Sequence, residues 1–150
     1  MTSTLTTPDY RACMTCAGFN LRKANRAISQ FYDEVFRPLG IRGTQYSLLV
    51  AVKLTAPVLL TQLADYAQMD RTTLTRNMEL LVNQGLLTVS PGPDKRTRNV
   101  NITADGVELL ELAYPLWQQA QAKISAGMGA ERLADFLADL SALVDVSQHS

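Results

Sequence analysis

Apolar residues recur at helical spacing in six stretches of this chain and alternate with polar ones in a single short hairpin-like region. Ala17, Leu21, Ala24, Ile28, Phe31 and Val35 step by three and four, and Met14, Tyr32 and Phe36 widen the stripe. That spacing predicts a helix over about 9–37 with one buried face. Thr7-Pro8-Asp9 supplies its start and Pro38-Leu39-Gly40 its stop. Gly43-Thr44 opens a second helix, roughly 44–54, with Leu48, Leu49 and Val52 inward, and Ala56-Pro57-Val58 links it onward. Near the other end, Leu109, Ala113, Leu116, Ala120 and Ile124 define a long helix capped by Thr103. Pro115 inside it should kink it or mark a real break. Gly127-Met128-Gly129 ends that helix, and Leu133, Phe136, Leu137, Leu140, Leu143 and Val144 form a last amphipathic one.

The chemistry concentrates between these outer helices, in 60–106. Leu60 to Gln68 is a short helical pattern with Leu63, Ala64 and Ala67 inward and Thr61 placed as an N-cap. After a tight break at Gln68-Met69-Asp70, Asp70 caps a helix from Arg71 to about Gln84 that buries Leu74, Met78, Leu81 and Val82. Gly85 then serves as its left-handed C′ residue. This pair reads as a helix-turn-helix. The polar side of the second helix carries Arg71, Thr72, Thr73, Thr75 and Arg76, where a recognition helix presents side chains to base edges. Threonine can donate, accept and offer a methyl to thymine, while arginine can grip guanine O6 and N7 together. The competing explanation is a solvated helix start rich in cap-type residues.

The following segment shifts the balance towards DNA. Leu86 to Val89 is β-prone, Pro91-Gly92-Pro93-Asp94 is turn material, and Val100 to Thr103 alternates like a returning strand. The resulting hairpin, or wing, carries Asp94, Lys95, Arg96 and Arg98 at its tip. A long guanidinium there suits a narrow A·T-rich minor groove. Asp94 would be anomalous against phosphate, so its expected role is to accept hydrogen bonds from Arg96 or tip amides. A charged tip can serve solubility alone, but one directly after a helix-turn-helix favours DNA.

Together these features resemble the MarR family of bacterial winged-helix transcription factors. Gly40-Ile41-Arg42-Gly43-Thr44-Gln45-Tyr46 looks like the start of that family's second helix, and Leu63-Ala64 with Thr75-Arg76 like its helix-turn-helix. Leu81 and Gly85-Leu86-Leu87 resemble its exit into the wing. Asp94-Lys95-Arg96 followed by Val100-Asn101-Ile102-Thr103-Ala104-Asp105-Gly106 resembles its D-x-R wing and L-T-x-x-G motif, with Ile102 for the commoner Leu. The similarity spans about Leu21 to Val144. It implies a mainly α fold with a small β-hairpin wing: a winged helix-turn-helix lobe over about 44–103, with N- and C-terminal dimerisation helices over 9–37 and 104–146. It also implies a crevice between dimer helices and lobe that takes a small aromatic or phenolic effector. Arg22, Arg26, Tyr32, Phe36, Tyr46 and Trp117 would line it, the arginines as cations for a carboxylate; aromatics at helical spacing are otherwise core.

Composition sets limits on this picture. A length of 150 residues suits one domain, and 47% apolar with 19% charged residues is a globular balance without signs of disorder. No apolar run approaches membrane-spanning length, and Met1 to Pro8 lacks a signal-peptide pattern, so the expected location is cytoplasmic with no membrane partner. The net charge of zero divides unevenly: +2 over 1–70, +3 over 71–102 and −5 over 103–150. Phosphate binding depends on the local basic surface, so the neutral total is no objection. The outer helices exceed what a winged-helix core needs, which implies a second chain against their apolar seams.

Cys13 and Cys16 form C-M-T-C, open to three explanations: packing in the dimer seam, a redox-sensing dithiol, or a soft-metal site needing ligands from a second subunit. His149 is the sole histidine and there is no phosphate-binding glycine loop, so enzyme chemistry finds no support and no cofactor is expected. The sequence therefore predicts a homodimeric, sequence-specific regulator of transcription on a pseudo-palindromic double-stranded operator, a repressor released by a small aromatic ligand or by thiol oxidation. The alternative is a winged-helix module for protein contact without specific DNA binding.

Overall fold

Six α-helices and three short strands organise residues 8–149, the part of the chain described by the computed structural model. A 3-10 turn at Tyr10–Thr15 precedes α1 (Ala17–Phe36), and α2 (Gly43–Thr55) follows after a second turn at Arg37–Leu39. Then come β1 (Val58–Leu59), α3 (Leu60–Ala67), α4 (Arg71–Asn83), β2 (Leu87–Pro91), β3 (Arg98–Ile102), α5 (Ala104–Met128) and α6 (Ala130–Gln148). The sheet is antiparallel in the order β1-β3-β2, with Val58 opposite Val100 and Leu87 opposite Ile102. Pro91 sits on the edge strand β2, where a missing N–H costs the ladder least. Among the described residues no helix is long and apolar enough to cross a membrane.

One core holds the central elements together. Phe36, Leu49, Val52, Leu63, Leu74, Leu81, Leu87 and Val100 are fully buried, so α2, α3, α4 and both long strands converge on the end of α1. Phe36 stacks on Tyr46 with ring centroids 4.4 Å apart, joining α1 to α2. Asp33 Oδ1 also accepts from Gly43 N at 2.9 Å, satisfying one of the free amides at the head of α2. The outer helices are different. None of the described residues of α6 is buried, and Ile28, Phe136 and Leu137 stand 40–50% exposed.

Local structure departs from the sequence-based expectations at several points. The first helix is broken: Cys16 has extended backbone (φ −62°, ψ 120°) and starts α1 as its N-cap, leaving Cys13 and Met14 in the 3-10 turn. Thr7, expected at the helix start, lies outside the described residues. Thr61 is not the cap of α3; Leu59 holds that position, and the Gln62 side chain reaches back to accept from Leu59 N at 3.3 Å. Ala56-Pro57-Val58 is more than a link, because Val58 begins β1. Val82 faces outward at 37% exposure, since the buried positions of α4 follow Leu74, Met78 and Leu81. Helix α5 runs unbroken through Pro115.

Other signals coincide with the structure. Asp70 accepts from Thr73 N at 3.0 Å, Thr103 Oγ1 accepts from Gly106 N at 3.0 Å, and Gly85 has the left-handed φ of 73°. Replacing Leu81 with Ala should lower the unfolding free energy by about 2–5 kcal/mol in urea denaturation, as for other fully buried leucines. Val82→Ala should change it by about 0.5 kcal/mol or less, as at most surface positions.

Candidate nucleic-acid interface

The start of α4 is built around its cap. Asp70 Oδ2 accepts from Thr73 N, and Oδ1 accepts from the Thr73 hydroxyl at 2.6 Å. These bonds, the hydroxyl's first, hold the Asp70 carboxyl below the usual aspartate value. Thr73 is exposed, with its hydroxyl proton committed to Asp70. Its neighbours remain available: Arg71, Thr72, Thr75 and Arg76 line a shallow surface groove of about 370 Å³ together with Glu79. All four are exposed.

The wing lies one strand beyond. Helix α4 packs against β2, which pairs with β3 through Pro91 and Arg98 at the last rung before the tip. Lys95 and Arg96 are exposed there. Asp94 Oδ1 accepts from Arg96 N at 3.3 Å, so the carboxylate binds a tip amide as its sequence position suggested. Arg98 Nη1 donates to the carbonyls of Thr97 and Lys95 at 3.2 and 3.4 Å, which turns its guanidinium onto the wing itself. The two ion pairs among the described residues, Arg11–Asp9 and Arg37–Glu34, involve none of these cations. Arg71, Arg76, Lys95 and Arg96 thus keep unneutralised charge on the surface.

Two further sets of predicted residues separate differently. Tyr32, Phe36, Tyr46 and Trp117 do line one crevice, of about 470 Å³, where α1, α2, α3 and α5 meet. Arg22 and Arg26 are not among its lining residues, and the charged group it does contain is Asp33. The carboxylate slot expected from the sequence is therefore not assembled, because both arginines are exposed and precede Ile28, the first residue of α1 to line the crevice. Burial raises the phenol pKa of Tyr32 and of Tyr46.

Cys13 and Cys16 are both exposed and reduced. Cys16 N donates to Cys13 O at 3.1 Å, closing a four-residue turn with Met14 and Thr15 between them. A turn of that kind keeps its end Cα atoms within about 7 Å, the range a disulfide spans. The N–H groups of Phe19 and then Gly18 point towards the Cys16 sulfur without closing a hydrogen bond of ordinary geometry, and they hold its thiol below the ordinary cysteine value. Among the described residues no cluster of three or more His, Cys, Asp or Glu surrounds either thiol.

The sequence model of the MarR family matches residues 39–97. No curated protein sequence matches significantly. Among solved structures, the M. tuberculosis transcriptional regulator MosR in complex with DNA is 35% identical over 88% of this chain and 98% of its own, with a TM-score of 0.78. A second structure of the same regulator is 33% identical over 89% of this chain and 98% of its own, with a TM-score of 0.77. A mutant of E. coli MarR complexed with operator DNA shares the fold at 22% identity, 91% and 99% coverage and a TM-score of 0.80. The chain belongs to the MarR family, a family of transcriptional regulators and not of enzymes.

The lowered Asp70 pKa has a direct readout. A folded-state pKa below the unfolded one means that the cap contributes fully above the unfolded value and is lost as pH falls through the folded value. Followed by NMR, the Thr73 amide should titrate with a midpoint below 3.8, the ordinary aspartate value; a midpoint at or above it would contradict the cap.

Proposed function

We propose that the protein is a homodimeric transcriptional regulator that binds a pseudo-palindromic DNA duplex and represses until an effector or an oxidant releases it. The observation that carries this reading is the set of exposed cations outside any ion pair at the head of α4, Arg71 and Arg76, and at the wing tip, Lys95 and Arg96. In this reading Thr72, Thr75 and Arg76 read bases in the major groove, Arg71 and Lys95 hold phosphates, and Arg96 enters the minor groove. The MosR, E. coli MarR and S. aureus MepR structures are complexes with DNA, which supports the same partner here.

The second chain follows from the outer helices. An apolar groove of about 680 Å³ runs between α1, α5 and α6, lined by Leu21, Phe31, Ile124, Leu133, Phe136 and Leu140. One chain leaves it open to water, and a two-fold partner offering the same helices would fill it. The lobe of about 44–103 would then appear twice, its recognition helices about one helical turn of DNA apart.

Two features support release. The crevice of Tyr32, Phe36, Tyr46 and Trp117 lies where the outer helices meet the lobe, so an aromatic effector there would act on the angle between them. The thiol pair favours a second route. The Cys16 thiolate attacks a hydroperoxide, the O–O bond breaks and an alcohol leaves with one proton. The resulting sulfenic acid condenses with the Cys13 thiol, releasing water and forming a disulfide. Because Cys16 caps α1, that bond would constrain the head of a dimer helix.

Fluorescence anisotropy on selected duplexes tests the reading. Affinity should fall steeply with salt, and Arg76→Ala should relax preference at one base pair by about 1–3 kcal/mol. Arg96→Ala should weaken binding most at A·T-rich flanks. Equal losses on every sequence would contradict the division of roles, and salt-independent partner binding would favour a protein-docking module instead. Hydroperoxide should release the wild type but neither Cys13→Ser nor Cys16→Ser; release of all three would remove the thiols from the mechanism and leave the crevice.

A further inference from the structure

The wing tip is held by more than its aspartate. Between the rung at Pro91 and Arg98, the chain passes through six residues with no strand structure. Thr97 organises them. Its hydroxyl donates to Asp94 O at 2.9 Å and accepts from Asp94 N at 3.2 Å, and its backbone N donates to Asp94 O at 3.0 Å. Its carbonyl accepts from Gly92 N at 2.9 Å and from Arg98 Nη1 at 3.2 Å. Gly92 has to lack a side chain, because a Cβ there would stand 2.2 Å from Thr97 Oγ1. Thr97 is half-buried beneath the exposed Lys95 and Arg96.

We infer that Thr97, Gly92 and Arg98 are positioning residues of the wing: they lock the tip loop before DNA arrives, so that Arg96 is presented ready-made to the groove. Arg98 acts through the carbonyls of Lys95 and Thr97 and not by neutralising a phosphate. The physical gain is entropic. A loose six-residue loop has to be ordered when it binds, whereas a loop already closed has lost that freedom on folding. The inference rests on the DNA-binding reading of the wing, but the order of the tip can be measured without DNA.

The test has two arms, both on the full chain. In the free protein, amide hydrogen exchange at Arg96 and Thr97 should accelerate about tenfold or more in Thr97→Val, which keeps the β-branched shape but loses the hydroxyl, and return to normal in Thr97→Ser. On a selected duplex, Thr97→Val should weaken binding about tenfold with an unchanged salt slope, and Ser should restore it. Arg98→Ala should also weaken binding at nearly constant slope, whereas Lys95→Ala should reduce the slope by about 0.9, the value of one lost phosphate contact. A slope reduced by about 0.9 in Arg98→Ala would overturn the role given to Arg98. Normal tip exchange in Thr97→Val, with wild-type DNA binding intact, would overturn the positioning role alone. Wild-type protein that bound no duplex would instead overturn the DNA-binding reading, and the positioning role with it.

Discussion

An apolar seam that one chain cannot cover governs the arrangement of everything else in this molecule. Helices α1, α5 and α6 present Leu21, Ile28, Phe31, Ile124, Phe136 and Leu137 to a common groove, and the fold supplies nothing further to fill it among the described residues. The hydrophobic effect acts on such a surface in proportion to its area, which favours covering it. In the proposed dimer this single requirement also fixes the distance between two recognition helices. DNA has a fixed helical repeat, and a regulator held together at the seam has to present its α4 helices to match it.

The connection from the seam to the candidate DNA-binding lobe is short and well packed. Tyr32 donates through its hydroxyl to Gln121 Oε1 at 3.0 Å, tying α1 to α5, and its ring stacks on Phe36. Phe36 in turn stacks on Tyr46 at the head of α2. The same aromatic side chains line the crevice, so a ligand entering there would disturb the column that joins the two halves. The Asp33 bond to Gly43 N reinforces that junction and places a carboxylate in the crevice. This makes a neutral or phenolic aromatic a better fit than the carboxylate suggested by the sequence.

Much of this was legible from residue order, and the exceptions have physical causes. Helix periodicity located every helix, and cap chemistry located the start of α4 at Asp70 and of α5 at Thr103, because those bonds are local. The break at Cys16 was hidden by a stripe that continues in register across it, from Met14 through Ala17 to Leu21. Strand β1 is two residues long and exists through pairing with distant β3, which no local pattern encodes. Gln62 replaced Thr61 as the group satisfying the head of α3, since the helix began two residues earlier than a Thr61 cap implied. At the interface, exposure of the α4 residues could be read from periodicity. The bonds of Thr73 to Asp70 and of Arg98 to the wing carbonyls could not, because they depend on side-chain rotamers. Thr97 gave a weak signal, a hydroxyl three residues after Asp94 in a turn, where such side chains commonly bond nearby backbone.

The most direct test of the account is the distance between the two α4 helices in the assembled protein on DNA. Spin labels at Glu79→Cys, in a chain whose Cys13 and Cys16 are replaced by serine, would report it by double electron–electron resonance. The account predicts one narrow distribution near one helical turn of DNA, about 34–36 Å between helix centres with an offset for the label. The absence of dipolar coupling, or a broad distribution unchanged by operator DNA, would contradict a dimer seam that sets the spacing of its recognition helices.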